Sequence, residues 1–189
     1  MIKLLTLKIV ILFIGLMPLI ANSEETKIGG EFELTSQFNQ PYSSTVAHGK
    51  VVMLFFGFTH CPDVCPNTLS AVQTVLGQLG ELAKLVQPIF ISVDPERDNP
   101  EILKNYMQYF GNNFIALTGT PEEIDKVVEQ FQGFYSYDGN IETGQYTVDH
   151  TSNLYIINTT GEVTNIIPYG LPPQVITDAV EKILNEIET

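Results

Sequence analysis

Both cysteines of this 189-residue chain fall in one heptapeptide, HCPDVCP at residues 60–66, with three residues between Cys61 and Cys65. Two thiols this close can alternate between dithiol and disulfide, serve as a structural crosslink, or present two soft ligands to a metal ion. The thiolate is the reactive species in the first and third cases, so the surroundings that set its acidity decide what the pair does. A crosslink closing so small a loop contributes little chain-entropy stabilisation. A chain of this length also buries an adequate core without one. The structural role is therefore the weakest of the three.

The common redox spacing is C-x-x-C, whereas this pair is C-x-x-x-C. At i and i+4 of a helix, two side chains share one face with alpha carbons about 6 Å apart. That separation lies inside the disulfide window, so oxidation is allowed, and it equally lets two sulfurs converge on one ion. Two sulfurs want a third ligand, and sulfur combined with imidazole suits copper. The chain offers His48, His60 and His150. His48, in VAHGK, reads as a solvated loop residue. His60 adjoins Cys61, where chain geometry makes joint ligation awkward. His150, which closes YTVDH, is the favoured candidate. Zinc fits less well, because two cysteines and one histidine leave a fourth position that only Asp63 or Asp149 could fill. Met53 and Met107 fall at core positions and form no methionine cluster.

The elements that must position these residues follow from hydrophobic patterning. EFELTSQFNQPYSS, with Phe32 and Leu34 before a turn at Asn39–Pro41, predicts a short hairpin. VVMLFFGF (51–58) is a continuous apolar run too short for a helix, which reads as a strand buried on both faces. Pro66 suits the first turn of a helix carrying Leu69, Val72, Val75, Leu76 and Leu79. A second buried strand (88–93) ends in DPERDNP (94–100), where Asp98 and Asn99 can cap a helix opened by Pro100, and Arg97 can pair with a nearby carboxylate. The same loop could also form a rim on which a partner docks. FIALT (114–118) is a third strand, and TPEE (120–123) has the form of a capping box for a helix running to about Gln132. Residues 133–150 read as irregular, with a small hairpin inside. NLYIIN and VTNIIP alternate around Asn158–Gly161 as a hairpin, and a helix follows from Pro173. Asn158–Thr159–Thr160 has the form of a glycosylation acceptor, but in a hairpin it reads as turn chemistry.

The order β-α-β-α-β-α-β-β-α fits an α/β, thioredoxin-like fold, a central mixed sheet flanked by helices with an N-terminal hairpin extension. Working sites in such sheets lie at the carboxyl ends of the strands, where the cysteine turn and DPERDNP both fall. In this fold the loop before the hairpin strand lies against the cysteine turn, so His150 can reach across to the thiols. A helix amino-terminus there favours thiolate over thiol.

The formal net charge is −13, from 22 acidic and 9 basic residues, with Arg97 the single arginine. Such a surface repels nucleic acid and anionic headgroups, which excludes both as partners. Residues 1–23 read as targeting sequence: Lys3 and Lys8 precede an apolar run at 9–21, and Ala21 and Ser23 are spaced for cleavage. An export signal is expected, with an uncleaved membrane anchor as the alternative, and residues 24–189 are expected to form a single thioredoxin-like domain. Export places the thiols where a close pair tends to oxidise unless a metal or reductant intervenes.

GFTHCPDVCP (57–66), DPERDNP (94–100) and YTVDHTSNLY (146–155), in this order and spacing, resemble the Sco/SenC family of copper-binding thioredoxin-like proteins. The resemblance covers roughly residues 28–187, with Asn99 where a threonine is usual. It implies Cys61, Cys65 and His150 as ligands to one copper ion, Cu(I) or Cu(II). It implies a metallochaperone for the dinuclear copper centre of cytochrome c oxidase subunit II, with another copper chaperone as a further partner. It also implies an exported location, periplasmic and either soluble or anchored to the inner membrane, with the mitochondrial intermembrane space as the lesser alternative. The main competing function is a thiol–disulfide oxidoreductase in which Cys61 and Cys65 reduce a target's copper-ligand cysteines. Copper or redox sensing, and a peroxidase on the same scaffold, are further alternatives; no arginine adjoins the cysteines to support the last.

Overall fold

The apolar run after Lys50 forms the central strand of the molecule, with every residue from Val51 to Gly57 buried. The structure is a computed structural model that describes residues 27–187; residues 1–23, where the export signal or anchor is expected, lie outside the described residues. In chain order the elements are β1 (Glu33–Ser36), β2 (Pro41–Ser43), β3 (Val51–Gly57), α1 (Val64–Leu79), β4 (Val86–Ser92), α2 (Pro100–Met107) and β5 (Ile115–Thr118). They continue with α3 (Pro121–Gln130), β6 (Tyr135–Asn140), β7 (Gln145–His150), β8 (Leu154–Ile157), β9 (Val163–Ile167) and α4 (Pro173–Ile187). No helix among the described residues is long and apolar enough to cross a membrane.

Seven strands form one mixed sheet in the order β2-β1-β5-β4-β3-β8-β9. β3, β4 and β5 run parallel, joined by helical crossovers, while β8 and β9 return antiparallel on one side. The β1–β2 hairpin extends the other side through an antiparallel pairing of β1 with β5. Strand alternation explains why the β3 run is apolar throughout. Val51, Met53 and Phe55 face a cluster with Leu69 and Val72 of α1, Leu103 of α2 and Val180 of α4. Val52, Leu54 and Phe56 face a second cluster with Ile124 and Val127 of α3. Complete burial of each such side chain contributes about 1.5–3 kcal/mol. Met53 and Met107 belong to the first cluster, as their positions suggested.

Local signals set most boundaries. Asn99 accepts a hydrogen bond from the Ile102 amide at 3.0 Å and Pro100 opens α2. Thr120 and Glu123 form the reciprocal capping box of α3, which ends at Gln130 rather than near Gln132. Asn158 Oδ1 accepts from the amides of Thr160 and Glu162 and closes the β8–β9 turn, the turn chemistry read from the sequence. β4 begins two residues earlier than expected, at Val86; Pro88 is tolerated in a central strand because pairing with β5 starts only at Ile89. The small hairpin expected within residues 133–150 is present and longer than expected, with two six-residue strands, β6 and β7, which pair only with each other.

Candidate metal and redox centre

The cysteine turn sits where β3 hands over to α1, at the carboxyl end of the parallel strands. The sequence spacing suggests both cysteines on one helix face, but α1 starts at Val64, so Cys65 lies in its first turn and Cys61 lies before the helix. Pro66 is the third helical residue, where its missing N–H falls among the amides a helix start leaves free. Asp63 stands at the N-cap without a capping side-chain hydrogen bond. Cys61 takes part of that role, since its Sγ accepts the Cys65 amide at 3.4 Å. Both cysteines are free thiols; Cys65 is buried and Cys61 half-buried.

His150 arrives from the end of β7. Tyr146, Val148 and His150 share the inward face of that strand, and Gln145, Thr147 and Asp149 point out to solvent. His150 Nε2 lies 3.7 Å from Cys65 Sγ, and its ring meets Phe58 edge-on with centroids 5.8 Å apart. Its Nδ1 lies 3.0 Å from the Thr151 carbonyl oxygen, a geometry in which Nδ1–H donates and Nε2 keeps its lone pair for a ligand. One donor atom from each of Cys61, Cys65 and His150 lies within 4.8 Å of the other two.

The remaining candidates lie elsewhere. Exposed His48 sits just before β3, at the opposite end of that strand from the thiols, against Gly161. Asp63 is exposed and accepts from Asn67 Nδ2 at 2.7 Å. Asp149 is on the outward face of β7, away from His150. His60 groups with Asp94 and Asp98, a juxtaposition with no signal in the sequence because it needs the β4 loop folded onto the cysteine turn.

That loop departs from one expectation. Asn99 alone caps α2, while Asp98 turns inward and is fully buried. It accepts hydrogen bonds from the Thr59 amide at 2.9 Å, the Thr59 hydroxyl at 2.5 Å and the Ser92 hydroxyl at 2.6 Å. A buried carboxylate needs such donors, and here they tie DPERDNP to the cysteine turn. Burial still pushes the Asp98 carboxyl above its ordinary pKa, against the hydrogen bonds that favour its ionised form. Arg97 pairs with Asp94 at 2.5 Å, as the sequence suggests.

The two thiols differ in acidity. The Cys65 thiol donates towards Cys61, and with the backbone amides of Cys65 and Asp63 this draws the Cys61 pKa from 9.0 down to about 5, against the opposing cost of burial. The same hydrogen bond, burial and the neighbouring Cys61 charge hold Cys65 protonated. In the metal-free reduced protein, ultraviolet thiolate absorbance should titrate with a midpoint near pH 5 and lose that step in Cys61→Ser. Because folding depresses this pKa, the associated stabilisation is complete above about pH 9 and is lost as pH falls through about 5. A midpoint near the ordinary thiol value would contradict this geometry.

Comparison with known proteins places the whole arrangement in context. The family described as SCO1/SenC matches residues 20–185. The SCO2-like protein of Rickettsia felis is 36% identical over 140 residues, which is 74% of this chain and 68% of that protein. The mitochondrial protein SCO1 homolog of Homo sapiens is 39% identical over 137 residues, 71% of this chain and 46% of that protein. Among solved structures, that of Bradyrhizobium japonicum ScoI with copper bound has a TM-score of 0.76 at 36% identity, covering 82% of this chain and 99% of that one.

Proposed function

The chain belongs to the SCO1/SenC family, and from that membership we propose that it binds one copper ion through Cys61, Cys65 and His150 and delivers it during cytochrome c oxidase assembly. The observation that carries the proposal is the convergence of two sulfurs and one imidazole nitrogen within 4.8 Å of one another. The donor set fits the cargo: thiolates favour Cu(I), and imidazole extends the set to Cu(II). Copper in the related ScoI structure supports the same reading. The recipient is the dinuclear copper centre of subunit II, and the site of action is outside the cytoplasm, reached by export of residues 1–23 as a signal or anchor.

Each residue has a share in carrying the ion. Buried Cys65 keeps one sulfur out of water, while half-exposed Cys61 is the ligand that an incoming partner thiolate can replace first. The Thr151 carbonyl fixes the His150 tautomer so that Nε2 faces the sulfurs.

A second reading rests on the difference between the two thiols. The Cys61 thiolate can attack a target disulfide and form a mixed disulfide, releasing one target thiolate. Cys65 then loses its proton and attacks the Cys61 sulfur, releasing the second target thiol and leaving the Cys61–Cys65 disulfide. The target gains two electrons and this chain loses two. The arginine that a peroxidase reading lacks in sequence remains committed to Asp94 and Tyr146.

Titration of the reduced chain should show one equivalent of copper and a sulfur-to-copper charge-transfer band with Cu(II). Absence of binding overturns the carrier reading. Thiol counting on an oxidised copper-centre domain separates the alternatives: full reduction by His150→Ala with negligible copper affinity would favour the oxidoreductase.

A further inference from the structure

His150 sits on a hairpin that has no backbone pairing with the main sheet, since β6 and β7 pair only with each other. The reach of the imidazole to the sulfurs therefore depends on how side chains seat that hairpin. One such contact lies four residues before His150 on the same face of β7, at Tyr146, which meets both Arg97 and Asp94.

We propose that Arg97 and Asp94 form a latch on Tyr146 that holds the hairpin against the sheet, which makes Arg97 a positioning residue for the His150 ligand. The Arg97 guanidinium carbon lies over the Tyr146 ring, 3.6 Å from its centroid, and its Nη1 donates to the Tyr146 carbonyl at 3.0 Å. Its Nε donates to Asp94 Oδ2 at 2.5 Å, and the Tyr146 hydroxyl donates to Asp94 Oδ1 at 2.7 Å. Asp94 is fully buried two residues beyond β4, and its amide donates to Ser92 Oγ at 3.1 Å. The anchor thus follows directly on a central strand of the sheet. Tyr137 of β6 adds a hydroxyl bond to the Val93 carbonyl at 3.1 Å.

The latch also reaches the site through Phe58. Phe58 stands between its two partners, with the Arg97 guanidinium 5.8 Å from its ring centroid and the His150 ring 5.8 Å away on an edge. Only a planar, forked cation can bond Asp94 and the Tyr146 carbonyl while stacking on the Tyr146 ring; lysine is a point charge without that geometry. The structure spends the chain's single arginine at this position.

The latch's consequence for copper rests on the reading of His150 as a copper ligand, whereas its effect on the hairpin does not, so two measurements separate them. In metal-free protein, amide hydrogen exchange over residues 145–151 should quicken about tenfold or more in Arg97→Gln, with β3 and β4 unchanged. Arg97→Lys should fail to restore it, because charge alone does not make the contact. With copper, Arg97→Gln should lower Cu(II) affinity by about 10–100-fold, the usual cost of losing an outer partner, and weaken the imidazole-nitrogen coupling in the electron paramagnetic resonance spectrum. Cu(I) affinity should change far less, since both thiolates remain. Tyr146→Phe, which loses only the hydroxyl bond to Asp94, should move the same readouts in the same direction by less, and it tests the latch should Arg97→Gln fail to fold. Variants with wild-type hairpin exchange and a wild-type Cu(II) spectrum would overturn the latch. Faster hairpin exchange in a chain whose wild type takes up no copper would support the latch and overturn the carrier function.

Discussion

Cys61→Ser and Cys65→Ser are each expected to lower copper affinity by more than about 100-fold, the upper end of what losing a mere outer partner costs. The charge-transfer band with Cu(II) should disappear with the affinity in both variants. The two substitutions are unequal in other respects. Cys65 is buried in the first turn of α1, so a serine there also buries a hydroxyl and should lower stability. Cys61 is half-exposed and precedes the helix, so Cys61→Ser should fold normally and provide the cleaner test. His150→Ala removes the nitrogen and leaves both sulfurs, so Cu(II) binding should weaken far more than Cu(I) binding. Isothermal or competition titrations in both oxidation states measure all three effects. Equal loss of Cu(I) and Cu(II) in His150→Ala would contradict the assignment of the imidazole.

The second large effect lies at a residue with no side chain. A Cβ on Gly57 would stand 2.6 Å from Cys65 Sγ and 2.7 Å from Phe90 Cε2. Both neighbours are buried, at 1% and 0% exposure, and cannot swing aside into solvent. Gly57→Ala should therefore cost about 1–3 kcal/mol through overpacking. That corresponds to a fall in Tm of about 2–4 °C per kcal/mol for a chain of this size. It should also push Cys65 Sγ away from His150 and weaken copper binding. Gly77, on α1 with nothing within 4 Å of the added carbon, is the control. Gly77→Ala should be neutral or stabilise the helix by up to about 1 kcal/mol. Similar melting temperatures for the two variants would show that the close approach at Gly57 is relieved cheaply.

Features governed by short-range chemistry were legible in the sequence. The capping box at Thr120–Glu123, the Asn99–Pro100 helix start and the continuous burial of β3 follow from residues adjacent in the chain. The candidate ligands were legible because only two cysteines and three histidines exist to choose from. The rest required distant segments to meet. Asp98 looks like a cap beside Asn99, yet the donors that draw it inward include Thr59, which lies 39 positions away. The stack of Arg97 on Tyr146 spans 49 positions and leaves no periodic trace. A small hairpin was legible within residues 133–150, but not its full six-residue strands, because glycines dominate the pattern. Its inward face is instead built from Tyr135, Tyr137, Tyr146 and Val148, an alternation of aromatic residues rather than aliphatic ones. The four-residue spacing also suggests both cysteines on one helix face, whereas Cys61 precedes α1 and its sulfur instead accepts the Cys65 amide.

X-ray absorption spectroscopy of the copper-loaded, reduced chain tests the central claim most directly, because it counts the atoms that hold the metal. Two sulfur scatterers and one imidazole nitrogen per copper are the result expected from Cys61, Cys65 and His150, with the nitrogen lost in His150→Ala. A shell of nitrogen and oxygen alone, or a wild-type spectrum from Cys65→Ser, would contradict it.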